Sequence, residues 1–219
     1  MLWTMFLCMV RTCIAMAWPW DAVDENETTM RDPSAPSGLV HNDFHGGNLV
    51  FGPFLDSPEH TRTPILKLLD FGLAARLKPH EYGEEGTGEQ RNILDLGIMM
   101  ATLIMLDTDK MYTGEEIELD LSRLNLSSSV LTPASGILED IEMGTPDPFP
   151  NVDLNLRFIV AGCMASNPED RPRLAELENW AVNGITRNTP DKYAHLSGGI
   201  EWETDATIHR LLRRCIFDA

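Results

Sequence analysis

The chain has 219 residues, long enough for one domain with a sizeable core or for two small ones. Its 17 Lys+Arg against 34 Asp+Glu give a net charge of −17, which argues against a nucleic-acid binder, whose affinity comes from clustered cations. Sixteen glycines and 14 prolines exclude a collagen-like or low-complexity chain. The four cysteines, Cys8, Cys13, Cys163 and Cys215, form no Cys-x-x-Cys pair. No zinc ribbon or thioredoxin-type site is therefore indicated, and ordinary thiols of a reducing, cytoplasmic compartment are expected. The Asn-x-Ser/Thr sequons at Asn26 and Asn125 matter only in a secreted protein.

Residues 2–17 are rich in Leu, Met, Ala and Phe, free of Gly and Pro, and predict a buried amphipathic helix that ends before Pro19. Ala15-Met16-Ala17 is also what a signal peptidase would cut, so a leader or anchor is the alternative reading. Residues 19–37 are Pro-, Ser- and acid-rich and read as a loop. Leu49–Phe51 and Ile65–Leu69 are short apolar segments that can pair as a hairpin across residues 52–64. Residues 76–91 are polar, and Gly83, Gly86 and Gly88 read as a flexible loop. Asn92 to Leu106 is hydrophobic nearly all round, as a central helix would be. Residues 107–150 are mixed and acidic, with turns near Pro133, Gly144 and Pro146. Leu154–Ala165 predicts a helix, and Pro172 fits the first turn of another over 172–183. A last amphipathic helix is expected over 204–216. The fold class is α+β, mostly helical, with small hairpins.

Two polar segments interrupt the apolar pattern: His41-Asn-Asp43-Phe-His45-Gly-Gly-Asn48 and Asp70-Phe71-Gly72. Each puts an acid at the end of a short apolar run. Oxygen-bearing side chains at loop ends are what Mg²⁺ requires, with phosphate and water completing its shell. Accepting the proton of an attacking hydroxyl needs a further acid that metal does not engage.

These segments resemble the catalytic and metal-binding loops of the eukaryotic protein-kinase family. His-x-Asp-x-x-x-x-Asn matches His41, Asp43 and Asn48, and Asp-Phe-Gly matches Asp70, Phe71 and Gly72. The resemblance implies Asp43 as catalytic base and Asn48 and Asp70 as holders of Mg²⁺ and, through it, ATP. It makes His41 a packing and backbone-positioning residue. Asp95-Leu-Gly resembles the start of the family's central helix, where the acid braces the catalytic loop. Cys163…Asn-Pro168-Glu-Asp-Arg171-Pro172 resembles the late segment whose Arg pairs with an acid and locks the lower lobe. The four segments run in family order over residues 1–185, with 186–219 as a C-terminal extension. The implied partner is a protein carrying a Ser/Thr hydroxyl; neither nucleic acid nor membrane is expected.

The chain also departs from the family. Lys67 is its first lysine, and no Gly-x-Gly-x-x-Gly precedes His41. The elements that grip ATP phosphates in the upper lobe are therefore missing from this sequence, and weak or absent activity is expected. Asn42 stands where many kinases have Arg, and His45 where Ser/Thr kinases have Lys. Between Gly72 and Asp95 there is no Ala-Pro-Glu, so Arg171 would lack its usual partner. Two alternatives follow: a pseudokinase kept as an interaction domain, and a small-molecule phosphotransferase of the aminoglycoside or choline kinase type, whose loop His41-x-Asp43-x-His45-x-x-Asn48 also resembles.

Overall fold

The computed structural model describes residues 1–18, 36–54, 63–106, 115–124, 129–138, 147–188, 190–195, 201 and 204–217. The expected loop over 19–37 and the turns at Gly144 and Pro146 lie almost wholly outside them. The described residues form an α+β structure with more helix than strand.

Helix α1 (Leu2–Ala17) forms over the predicted span. It is buried on most of its circumference, including Phe6, Leu7, Met9, Val10, Cys13 and Ile14. That is why its pattern is apolar all round. It packs against α4 (Leu174–Arg187), α2 (Gly88–Met105) and β3 (Leu66–Leu68). Arg11, which interrupts the apolar run, donates from Nε to Glu178 Oε1 of α4 at 3.2 Å. Among the described residues no helix is long and apolar enough to cross a membrane.

The described residues include three antiparallel two-stranded ribbons. Strands β2 (Leu49–Phe51) and β3 form the expected hairpin, with Leu49 opposite Leu68 and Phe51 opposite Leu66. Strand β1 (Leu39–Val40) pairs with β4 (Ala75–Arg76), a bridge too short to show a period of two in the sequence. Strands β5 (Ile117–Asp120) and β6 (Ser129–Thr132) pair within the stretch read only as mixed and acidic. Their inner face is Leu119, Val130 and Thr132; Thr132 Oγ1 donates to Ala161 O of α3 (Leu154–Cys163) at 2.8 Å.

Helix starts differ from the expected ones through capping. Helix α2 begins four residues before Asn92, because Thr87 and Gln90 form a reciprocal capping box. Gly86 and Gly88 therefore flank a cap rather than a loose loop. Helix α4 begins after Pro172, with Arg173 at the cap and the Glu176 carboxylate accepting its N–H at 2.8 Å. It runs to Arg187, past the expected end at 183. Helix α5 (Asp205–Leu212), capped by Thr204, continues into a wide turn over Arg213–Phe217. Its His209 ring lies 4.4 Å from that of Phe54, centroid to centroid. All four cysteines are free; burial raises the thiols of Cys13 and Cys163 well above the ordinary range.

Candidate functional site

The β2–β3 hairpin sets the site. Its register puts Asn48, just before β2, opposite Leu69, just after β3, and the Leu69 N–H donates to Asn48 O at 2.8 Å. The loop around Asp43 and the turn at Asp70 therefore lie at the same end of one ribbon.

Within the first loop, Asn48 Nδ2 donates to both Asp43 O and Asp43 Oδ2, each at 2.8 Å. This clamp fixes the Asp43 carboxylate, whose side chain keeps 32% exposure. It also leaves Asn48 Oδ1 without a hydrogen bond among the described residues. His45 lies over the same carboxylate, with Nε2 3.4 Å from Asp43 Oδ1. Its Nδ1 accepts the Gly47 N–H at 3.0 Å. An imidazole that accepts at Nδ1 carries its proton on Nε2, so the ring presents N–H to Asp43. Gly47 is required by this fold-back, since a Cβ there would lie 2.8 Å from His45 Cε1.

The second loop is built in the same way. Asp70 has φ 58°, in the left-handed region, and its Oδ1 accepts the Gly72 N–H at 3.1 Å. A Cβ at Gly72 would lie 2.9 Å from that oxygen. The other carboxylate oxygen of Asp70 takes no hydrogen bond among the described residues. Asn42, also left-handed at φ 60°, donates from Nδ2 to Leu73 O at 3.1 Å and ties the loops together.

His41 stands beneath both. It is fully buried; its Nε2 donates to Leu69 O at 3.0 Å, and its ring meets Phe71 edge-on at 4.7 Å. Its Nδ1 has no hydrogen-bond partner among the described residues. These contacts tie the first loop to Leu69 and Phe71 of the second. Among the described residues, the expected brace Asp95 makes no hydrogen bond to the loop; the backbone there is held by a neighbour. Asn92, one turn earlier on α2, accepts the His41 N–H at Oδ1 (3.1 Å) and donates from Nδ2 to Leu39 O (2.8 Å). An amide can do both, whereas a carboxylate can only accept. The signal in the sequence was a second polar residue in an apolar helix, on nearly the same face as Asp95. Arg171, expected to lack its usual acidic partner, is held by backbone carbonyls. Its guanidinium donates to the carbonyls of Ala165 (3.0 Å), Gln90 (3.0 Å) and Glu85 (3.3 Å), fastening the first turn of α2 and the segment before it to the turn after α3.

The donor set is chemically suited to Mg²⁺: a carboxylate oxygen of Asp70 and the amide oxygen of Asn48, both hard and both uncommitted within the described chain. The Asp43 carboxylate, clamped by the Asn48 amide nitrogen, retains acceptor capacity. No protein-family model matches the chain, and a search of curated proteins finds no match.

Proposed function

We propose that residues 41–48 and 70–72 form a phosphoryl-transfer centre of the protein-kinase-like type, which takes Mg²⁺–ATP and passes phosphate to a hydroxyl. One observation carries this reading: the amide of Asn48 spends its nitrogen on clamping Asp43 and keeps its oxygen uncommitted, beside a ribbon that brings Asp70 to the same end. Asp70 and Asn48 would hold the metal. The metal would neutralise charge on the phosphate oxygens. Asp43 orients the attacking hydroxyl and accepts its proton; the Asn48 clamp keeps the carboxylate in one rotamer, and the His45 N–H faces its other oxygen. His41 and Asn92 hold the loop backbone, so catalysis here is positioning plus electrostatics.

Thermal unfolding with and without Mg²⁺–ATP tests this reading, with Asp70→Asn as control. A hundredfold excess over Kd stabilises by about 2.7 kcal/mol, a rise of roughly 2–4 °C in a chain of this size. The rise should vanish in Asp70→Asn. No shift at millimolar ATP in a folded chain would sink the reading. The second reading, an interaction domain, is favoured by a row of partly exposed apolar side chains beside the same loops: Val50, Leu69, Phe71 and Leu73.

A further inference from the structure

A cleft of about 230 Å³ opens beside the Asp43 loop, with Val40, Phe44 and Leu94 as apolar walls and Asn42, Glu85, Arg91 and Asp95 as polar groups. Its donors are already spent. Every nitrogen of Arg91 is engaged by the chain itself: Nε with Gly86 O, Nη2 with Glu81 O and Tyr82 O, and Nη1 with the Glu85 carboxylate at 2.8 Å. The Asn42 amide nitrogen is committed to Leu73 O. Its acceptors are not spent. Asp95 takes no hydrogen bond among the described residues, nor does Asn42 Oδ1, and Glu85 keeps 71% side-chain exposure. An anion entering the cleft would find few donors, whereas a group rich in N–H would find a half-buried carboxylate waiting.

We infer that this cleft holds the cationic nitrogen group of the phosphoryl acceptor, an ammonium or guanidinium on a short apolar stem, with Asp95 as its counter-ion. The size fits one such group rather than a whole cofactor, whose pockets run from about 300 Å³ upward. Val40, Phe44 and Leu94 match the stem. A net charge of −17 concentrates cations around the chain. Asp95 also stands at a cost: burial pushes its carboxyl up to about 6 even with Arg171 and Arg91 nearby and Glu85 opposing them. Its two arginine neighbours thus offset burial only in part, and no donor among the described residues hydrogen-bonds it, which leaves room for a ligand's N–H. The acceptor role rests on the phosphoryl-transfer reading; the cation site itself does not.

The test is calorimetric titration of the full chain with n-butylammonium chloride, without nucleotide and at fixed ionic strength. n-Butanol and sodium butyrate serve as matched probes. Butylammonium should bind and the other two should not. Asp95→Asn should weaken binding by at least roughly tenfold, the loss of one charge-assisted hydrogen bond, while the variant unfolds at or above the wild-type temperature. Leu94→Trp, which fills the cleft and keeps the carboxylate, should abolish binding. Equal binding of butanol, or undiminished binding in Asp95→Asn, overturns the inference. A short peptide with lysine beside serine that binds more tightly than butylammonium assigns the cation to a protein acceptor; equal binding assigns it to a small amine. Loss of the Mg²⁺–ATP shift with cation binding intact removes the phosphoryl-transfer reading and leaves the cation site. An ATP shift with no cation binding removes only the cleft.

Discussion

Asn92 has to donate and accept at once, and that requirement is specific to an amide. Its oxygen takes the buried His41 N–H and its nitrogen serves Leu39 O. Asn92→Leu leaves both backbone groups without partners in the core and should cost about 2–3 kcal/mol in denaturant unfolding. Asn92→Asp is the sharper case. A carboxylate still accepts from His41 but faces Leu39 O with another oxygen, so destabilisation at pH 7 should be of similar size. Protonating that Asp restores a donor, so the gap to wild type should narrow at acid pH; a constant gap would mean that the Leu39 contact contributes little. The candidate catalytic residues Asp43, Asn48 and Asp70 were legible in the sequence because each sits in a contiguous motif. Asn92 was not, because helical spacing puts it and Asp95 on nearly one face, and only the fold decides which of them meets the loop.

At the scale of elements, α1 and α4 approach so closely at Gly184 that a Cβ there would lie 2.3 Å from the Trp3 ring. Gly184→Ala should therefore destabilise by about 1–3 kcal/mol, through displacement of Trp3; a neutral result would mean that the ring swings away freely. Helix α3 has a different lock. Arg157 is buried, and its guanidinium makes a two-pronged pair with Asp147, at 3.0 Å from Nη1 and 2.5 Å from Nη2, while Nη1 also reaches Ile137 O. Asp147→Ala strands that cation and should cost about 3–5 kcal/mol, whereas replacing both partners by apolar residues should cost much less. A double-mutant cycle in urea separates the two cases. The hydrophobic pattern marked α1, α3 and the β2–β3 hairpin because each is a predominantly apolar run set off by polar or Gly/Pro-containing neighbours. It missed the start of α2, where the signal was the Thr87–Gln90 box rather than hydrophobicity. It also missed β5 and β6, although Ile117-Glu-Leu-Asp alternates, because four residues are a weak periodic signal inside an acidic stretch.

For the whole molecule, the acids pull stability in two directions along pH. Asp95 has a folded value of about 6 against an ordinary 3.8, because burial raises it more than Arg171 and Arg91 lower it. Burial raises Glu89 in the same sense, against the Leu174 N–H and Arg173. A raised carboxyl binds its proton more tightly when folded, so its contribution is fully present below its unfolded value and is lost as pH rises through the folded one. For Asp95 the window is about pH 4 to 6, on the order of 1–2 kcal/mol after allowance for its open side. Asp147 and Asp153 behave oppositely. Burial would raise both, but hydrogen bonds from Arg157 and the Phe149 N–H, and from Lys192 and the Asn155 N–H, outweigh it and hold them below 3.8. Their contribution is present above 3.8 and is lost as pH falls through the depressed values. Repulsion within a chain of net charge −17 adds to the first trend, because it grows as the carboxylates ionise. The unfolding temperature should therefore peak near about pH 4 and decline from there towards pH 6, rather than peak at neutrality. In high salt the repulsive part of the decline should flatten, because exposed charges are screened within a few ångströms. The Asp95 part arises from burial and should persist. Thermal scans across pH at low and high salt, repeated for Asp95→Asn, separate the two. If the variant keeps the wild-type slope between pH 4 and 6 in high salt, Asp95 is solvated and its strained ionisation is not a property of the fold.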